Sequence, residues 1–344
     1  MINQSQNVKV RQSNMELLRL LSMLMIMVGH CLFFTYPNGI QIKESPILPF
    51  VLFQFKGLSI CSVDVFVLIS GWFGIRFKGI RLTSLIFQTL FFSILIYFSL
   101  LIWKPREYMT LDALSTIICF HSDDYWFIKA YVGLYLFAPF LNRFIEAATE
   151  KELKKFLIFF YIFQTIYGWL NLYGAHWFEG GFSMISFMGL YILARYLRLH
   201  VKEDRAKSFY LLNYVLIGFC LGLIAFLLAT YDIKIYGRLL TYTCPLVILE
   251  SVFLLLFFSK LSLQSIVINS LSASCLSMYL LHANELILRP YYFGQIKIWG
   301  ETQTTLKAFF YSSLWVILFL ISSIIIDFGR KKLWNRIELY LKSK

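Results

Sequence analysis

Runs of about 18 or more predominantly apolar residues recur from one end of this chain to the other, and nothing else in the sequence limits the fold as severely. Surrounded by hydrocarbon, a backbone must satisfy its own hydrogen bonds, which leaves a helix or a closed barrel. The period-two alternation of barrel strands is missing. Of the 344 residues, 59% are hydrophobic and only 15% charged, too few charges to coat a soluble domain of this size. The sequence therefore predicts an all-α fold, a polytopic membrane helix bundle.

Ten spans are expected, at 15–36, 48–74, 82–103, 125–143, 155–173, 182–199, 209–231, 239–259, 266–289 and 305–328. Basic residues separate the connections into two sets. Arg76, Lys78, Arg81, Lys151, Lys154, Arg198 and the tail after Arg330 fall on one side. The other side holds few, among them Lys43, Lys104, Arg106 and Lys297. That asymmetry predicts both termini in the cytoplasm, with a short polar N-terminus at 1–14 and a basic tail at 329–344. The outer side then receives "FHSDDYWF" (120–127) and "YGAHWFEGG" (173–181), both rich in interfacial aromatics. No short apolar core with a small-residue cleavage site opens the chain, so the first helix is expected to stay. Residues 1–344 read as one membrane domain.

The net charge of +13 resides in those loops and tails, so membrane lipids rather than nucleic acid are the expected partners. The six cysteines are scattered, without a CxxC pair or a His/Cys cluster, and neither a disulfide framework nor a metal site is expected.

An ionisable side chain inside a membrane span is costly unless paired or hydrated, which makes each one a functional candidate. Six stand out: Arg19, His30, Asp64, Lys129, Glu250 and His282. Arg19 and His30 are eleven residues apart, about 20° beyond three full turns, so they share one helix face roughly 16 Å apart. Glu16, one turn before Arg19, is placed to pair with it. His282 comes out at nearly the depth of His30, on a predicted polar stripe with Tyr279, Glu285 and Arg289. Asp64 is expected to reach the same level, so that three proton-handling groups converge. Glu250 has no evident sequence partner, and Lys56 and Lys129 also suit snorkelling to an interface.

Several of these residues sit in stretches that together resemble acyltransferase family 3, integral-membrane O-acyltransferases of bacterial surface glycans. "ELLRLLSMLMIMVGH" carries the family's Arg-x10-His as Arg19 and His30. "SVDVFVLISGWFG" is similar to its Val-Asp-Val-Phe and Ser-Gly-aromatic pattern, through Asp64, Ser70, Gly71 and Trp72. "RFK" matches a basic pair, "YWFIKAYVGLYLFAPFLN" its Trp-Phe helix, and "SMYLLH" a Tyr-x-x-His. Two departures are Gly29 where many relatives have a second histidine, and Trp72 after Ser-Gly.

The resemblance implies an acyl-CoA donor, acetyl-CoA or a longer homologue, and as acceptor a hydroxyl of a cell-surface glycan or lipid-linked saccharide. It also implies the bacterial cytoplasmic membrane. Arg76, Lys78 and Arg81, with Arg19 deeper, are the expected cations for the CoA phosphates. His30 is the expected general base and Asp64 the carboxylate orienting it, while Tyr279, His282 or a cation stabilises the oxyanion. An acyl-histidine intermediate stays open. Trp126, Lys129 and Tyr279 are the expected substrate-binding residues. The rival reading is a polysaccharide or lipid-linked sugar transporter, which ten spans with buried charges also fit. Against it, the two halves lack matching Gly/Pro-broken helices. Oligomeric state is not legible.

Overall fold

The computed structural model describes residues 12–35, 47–118, 125–171, 177–202, 204–233 and 235–343, and all regular elements among them are helical. The principal helices are α1 (Ser13–Thr35), α2 (Ile47–Ser59), α3 (Ser62–Phe73), α4 (Gly79–Trp103), α5 (Trp126–Ala147), α6 (Glu150–Phe163) and α7 (Met184–His200). They continue as α8 (Lys207–Thr230), α9 (Pro245–Ser259), α10 (Ile266–Ser272), α11 (Cys275–His282), α12 (Gly294–Thr302) and α13 (Thr305–Ser343). Much of the two predicted outer loops, 119–124 and 172–176, lies outside the described residues, as do Lys9, Arg11 and Lys43.

Among the described residues, five helical stretches are long and apolar enough to cross a bilayer: Ser13–Cys31, Ile47–Phe73, Gly79–Trp103, Lys207–Thr230 and Leu306–Ser343. A sixth arises if Ile266–His282 and Glu285–Thr302, bent by 60° at a short break, count as one span. The other four predicted spans also fall on helices. Yet α7 and α9 have only 17 and 15 residues, α6 gives way after 14 to a π-helical stretch at Gln164–Leu170, and α5 carries Lys129, Arg143 and Glu146. Length and apolarity thus assign five or six crossings, where the sequence pattern alone expects ten.

Small residues decide which helices touch. A Cβ on Gly57 would stand 2.1 Å from the Gly218 carbonyl oxygen and 2.6 Å from the Gly222 nitrogen, so α2 and α8 meet backbone to backbone. Gly71 plays the same part between α3 and α7, where a Cβ would lie 2.6 Å from the Tyr191 carbonyl oxygen. Without a hydrophobic drive between helices in lipid, such close approach is what membrane helices use to associate. The Gly of the Ser-Gly-Trp motif is therefore a packing residue. Its Trp72 lies under the Arg198 guanidinium, 4.8 Å from the ring centre. α3 ends at Gly74, whose φ of 73° suits a residue without Cβ and whose N–H bonds back to Ser70 and Gly71.

Among the described residues three apolar clusters result, and α1 belongs to the two larger ones. Met15 and Leu18 join the core built with α3, α5, α7 and α9. Met23, Met27 and Cys31 join the one built with α4, α11 and the segment after it. The N-terminal end of α1 is fastened to the α9–α10 connection: Asn14 donates to the Phe258 carbonyl at 2.8 Å, and the Ser265 amide donates to Ser13 Oγ at 2.9 Å.

Candidate active site

A cavity of about 600 Å³ opens between the two larger clusters, with α1 as one wall. Arg19 and His30 both line it. Eleven residues of helix separate them, so the cavity follows α1 for roughly 16 Å.

Arg19 is held where it lines the cavity. Its Nη1 donates to Glu16 Oε2 at 2.5 Å, and the same carboxylate oxygen accepts from Ser272 Oγ at 2.6 Å. The pair expected from i, i+3 spacing thus forms, and α10 completes it.

At the other end, His30 meets His282. Nδ1 of His30 lies 3.2 Å from Nε2 of His282, and Nδ1 of His282 lies 2.6 Å from the Met278 carbonyl oxygen. A carbonyl only accepts, so His282 carries its proton on Nδ1 and offers a lone pair at Nε2. That lone pair takes the Nδ1–H of His30, which puts the basic lone pair of neutral His30 on Nε2. The relay has the form of an oriented base, with a second imidazole and a backbone carbonyl where a carboxylate often stands.

His282 is fully buried and α11 ends at it. Asn284 restarts the chain by accepting from the Leu286 amide at 3.0 Å, and its Nδ2 donates to Tyr125 Oη. Tyr125 in turn donates to the Leu280 carbonyl at 2.5 Å. The helix end that carries His282 is therefore tied to the start of α5. Tyr292 closes the other side, its ring 5.4 Å from that of His282 and its hydroxyl donating to the Met27 carbonyl. Because of the break, the polar stripe predicted through Tyr279, Glu285 and Arg289 is not continuous. Tyr279 precedes the break, while Arg289 lies in a π-helical segment, Leu288–Phe293, beyond it.

Asp64 does not join His30. It opens α3, where Ser62, Phe66 and Ser70 share the cavity face, and two residues from Ser62 turn it about 200° away. It is buried instead within electrostatic range of Glu250, Tyr161 and Tyr242. Glu250 is equally buried and borders Cys61 and Gly218. Arg76, Lys78 and Arg81 are exposed beyond the end of α3 and do not line the cavity, nor does the half-buried Lys129. Trp126 and Tyr279 do line it. His30 thus contacts His282 rather than Asp64, and among the described residues the cations lining the cavity are Arg19, Lys56 and Arg289.

Asp327 escaped the sequence reading although it falls inside the last predicted span. It is fully buried and accepts from Arg330 at 2.7 Å, Lys331 at 2.8 Å and Ser274 at 2.7 Å. Gln88 adds a bond to Ser277 at 2.7 Å, which fastens α11 to α4 and α13. The signal was a carboxylate three and four residues before two cations on one helix.

A membrane-embedded helical bundle with an oriented histidine on an internal cavity defines the class. The model of an acyltransferase domain family, Acyl_transf_3, matches residues 12–327, and the chain belongs to that family. It is a membrane acyltransferase. No curated protein and no solved structure was found to match it.

Proposed function

We propose that the protein transfers an acyl group from acyl-CoA, acetyl-CoA in the simplest case, to a hydroxyl of a surface or lipid-linked glycan, with His30 as general base. The observation that carries this reading is the Met278–His282–His30 relay ending on the cavity. A sugar hydroxyl is a poor nucleophile near neutral pH. His30 Nε2 removes its proton as the oxygen attacks the thioester carbonyl, and the charge gained by the ring is shared with His282 Nε2. The tetrahedral oxyanion needs a donor. Both nitrogens of His282 are committed, so this role goes to Tyr279 or to a cation of the same cavity wall. Collapse breaks the C–S bond, and the departing thiolate takes the proton back from His30.

Both termini face the cytoplasm of a bacterial inner membrane in this reading, so the donor enters at the Arg19 end. There the guanidinium meets its phosphates and the pantetheine arm follows α1 toward His30. The exposed Arg76, Lys78 and Arg81 gather the polyanion before it enters, and the outer half of the cavity takes the acceptor. Incubating the purified protein with labelled acetyl-CoA tests the reading: labelled glycan, labelled protein or released CoA supports it, and gradient-driven sugar uptake without any of them overturns it. NMR of surface glycan from cells with and without the gene identifies the acylated carbon.

His282→Gln separates positioning from binding. The variant loses one hydrogen bond to a developing charge, worth about 1.5–3 kcal/mol, so kcat is expected to fall about 10- to 100-fold. The KM for acetyl-CoA is expected to stay within about twofold, because His282 does not line the cavity. Steady-state kinetics on purified protein checks both numbers.

A further inference from the structure

Among the described residues, the cavity is lined by three cations, Arg19, Lys56 and Arg289, and by no carboxylate. Arg19, bonded to Glu16, lies eleven helical residues from His30. Arg289 belongs to the π-helical segment that begins just after the His282 helix breaks and ends in Phe293, whose ring packs edge-on 6.3 Å from that of His30. Unlike Arg19, Arg289 forms no ion pair with a described residue.

Aromatic rings of the cavity wall are linked to the His282 helix through Tyr125 and Phe127. Trp126, Phe182 and Tyr242 all line the cavity, with Trp126 4.4 Å from Phe182 and stacked 5.9 Å from Tyr242. Gly181, with φ of 103°, lets the chain run against Tyr242, where a Cβ would stand 2.4 Å from the Tyr242 Cβ. The trio is tied to the base because Tyr125, immediately before Trp126, bonds to Leu280 two residues before His282. Phe127 likewise packs 5.8 Å from Tyr279.

We infer that this part of the cavity binds an acidic saccharide, its ring face on the Trp126–Phe182–Tyr242 platform and its carboxylate or phosphate on Arg289. The inference rests on the acyl-transfer reading and narrows its acceptor. The donor's phosphates do not account for Arg289. They lie a full pantetheine arm from the thioester, and the thioester must sit at His30, next to the Arg289 segment. An anion recognised there belongs to the molecule whose hydroxyl is being acylated. Guanidinium suits both carboxylate and phosphate through paired N–H donors, and the flat aromatic faces suit the C–H faces of a sugar ring.

The test uses the full chain in detergent, acetyl-CoA as donor, and three probes: methyl glucuronoside, glucose 1-phosphate and methyl glucoside. The wild type is expected to favour at least one anionic probe over the glucoside by tenfold or more in kcat/KM. The carboxylate and phosphate probes show which anion is preferred. Arg289→Gln is expected to bring that ratio to within about twofold of unity, while Arg289→Lys keeps a preference. Equal ratios in wild type and Arg289→Gln overturn the inference, as does a variant whose only change is a higher KM for acetyl-CoA. Calorimetric binding of the anionic probes without donor separates the two readings. Binding lost in Arg289→Gln sustains the acidic-saccharide site even if acetyl-CoA supports no turnover, and absence of both binding and preference overturns it.

Discussion

His30→Ala is expected to lower acyl transfer about 10²- to 10⁴-fold, the range by which a positioned general base accelerates proton transfer. Alanine removes the imidazole whose Nδ1 is engaged by His282 and whose Nε2 is the proposed base, and leaves His282 bonded to Met278. The half-buried ring is also a small part of the α1 surface, whose packing rests on Met15, Leu18, Met23 and Met27, so insertion and expression are expected to persist. The measurement is CoA release by purified variant and wild type at matched protein, alongside elution as a single species in detergent. Glycan O-acylation at the wild-type rate in cells carrying only the variant would remove His30 from the mechanism.

Gly57→Ala has the largest expected effect on the fold. All three nearest atoms to the new Cβ are backbone, at 2.1 Å, 2.6 Å and 3.0 Å, and backbone of a packed helix has no rotamer to move aside. α2 and α8 must separate along their crossing, a strain of about 1–3 kcal/mol or more. The midpoint of thermal unfolding in detergent is expected to drop by several degrees. Activity should suffer as well, because Lys56 and Ser59 on either side of Gly57 line the cavity. Gly329→Ala is the control: nothing lies within 4 Å of its Cβ, and a helical glycine replaced by alanine there is expected to gain about 0.5–1 kcal/mol. An equal loss of stability in both variants would contradict the close crossing.

The helices were legible because apolar runs of membrane length permit little else. That His30 and His282 reach a common level was legible too, from the number of turns that each helix makes, and the two rings do meet. What the sequence withheld was rotation. Asp64 and Ser62 are two residues apart on α3, and which of them faces the cavity depends on neighbours that only the assembled bundle supplies. Those neighbours are set by glycine contacts such as Gly57 with Gly218 and Gly222, residues far apart in the chain whose pairing leaves no periodic mark. The break after His282 was hidden for a similar reason: Asn284 caps a new turn, while the apolar pattern runs on across it.

A single rigid rod carries both Arg19 and His30, and that fixes more than their separation. Inserting one residue between them would lengthen the rod by only about 1.5 Å, yet it would swing His30 by about 100° and off the wall it now lines. An insertion or deletion in this stretch is therefore expected to abolish transfer where exchange of side chains at constant count need not. On the proposed reading, the measure between phosphate anchor and base is written into chain length, where point mutation cannot alter it.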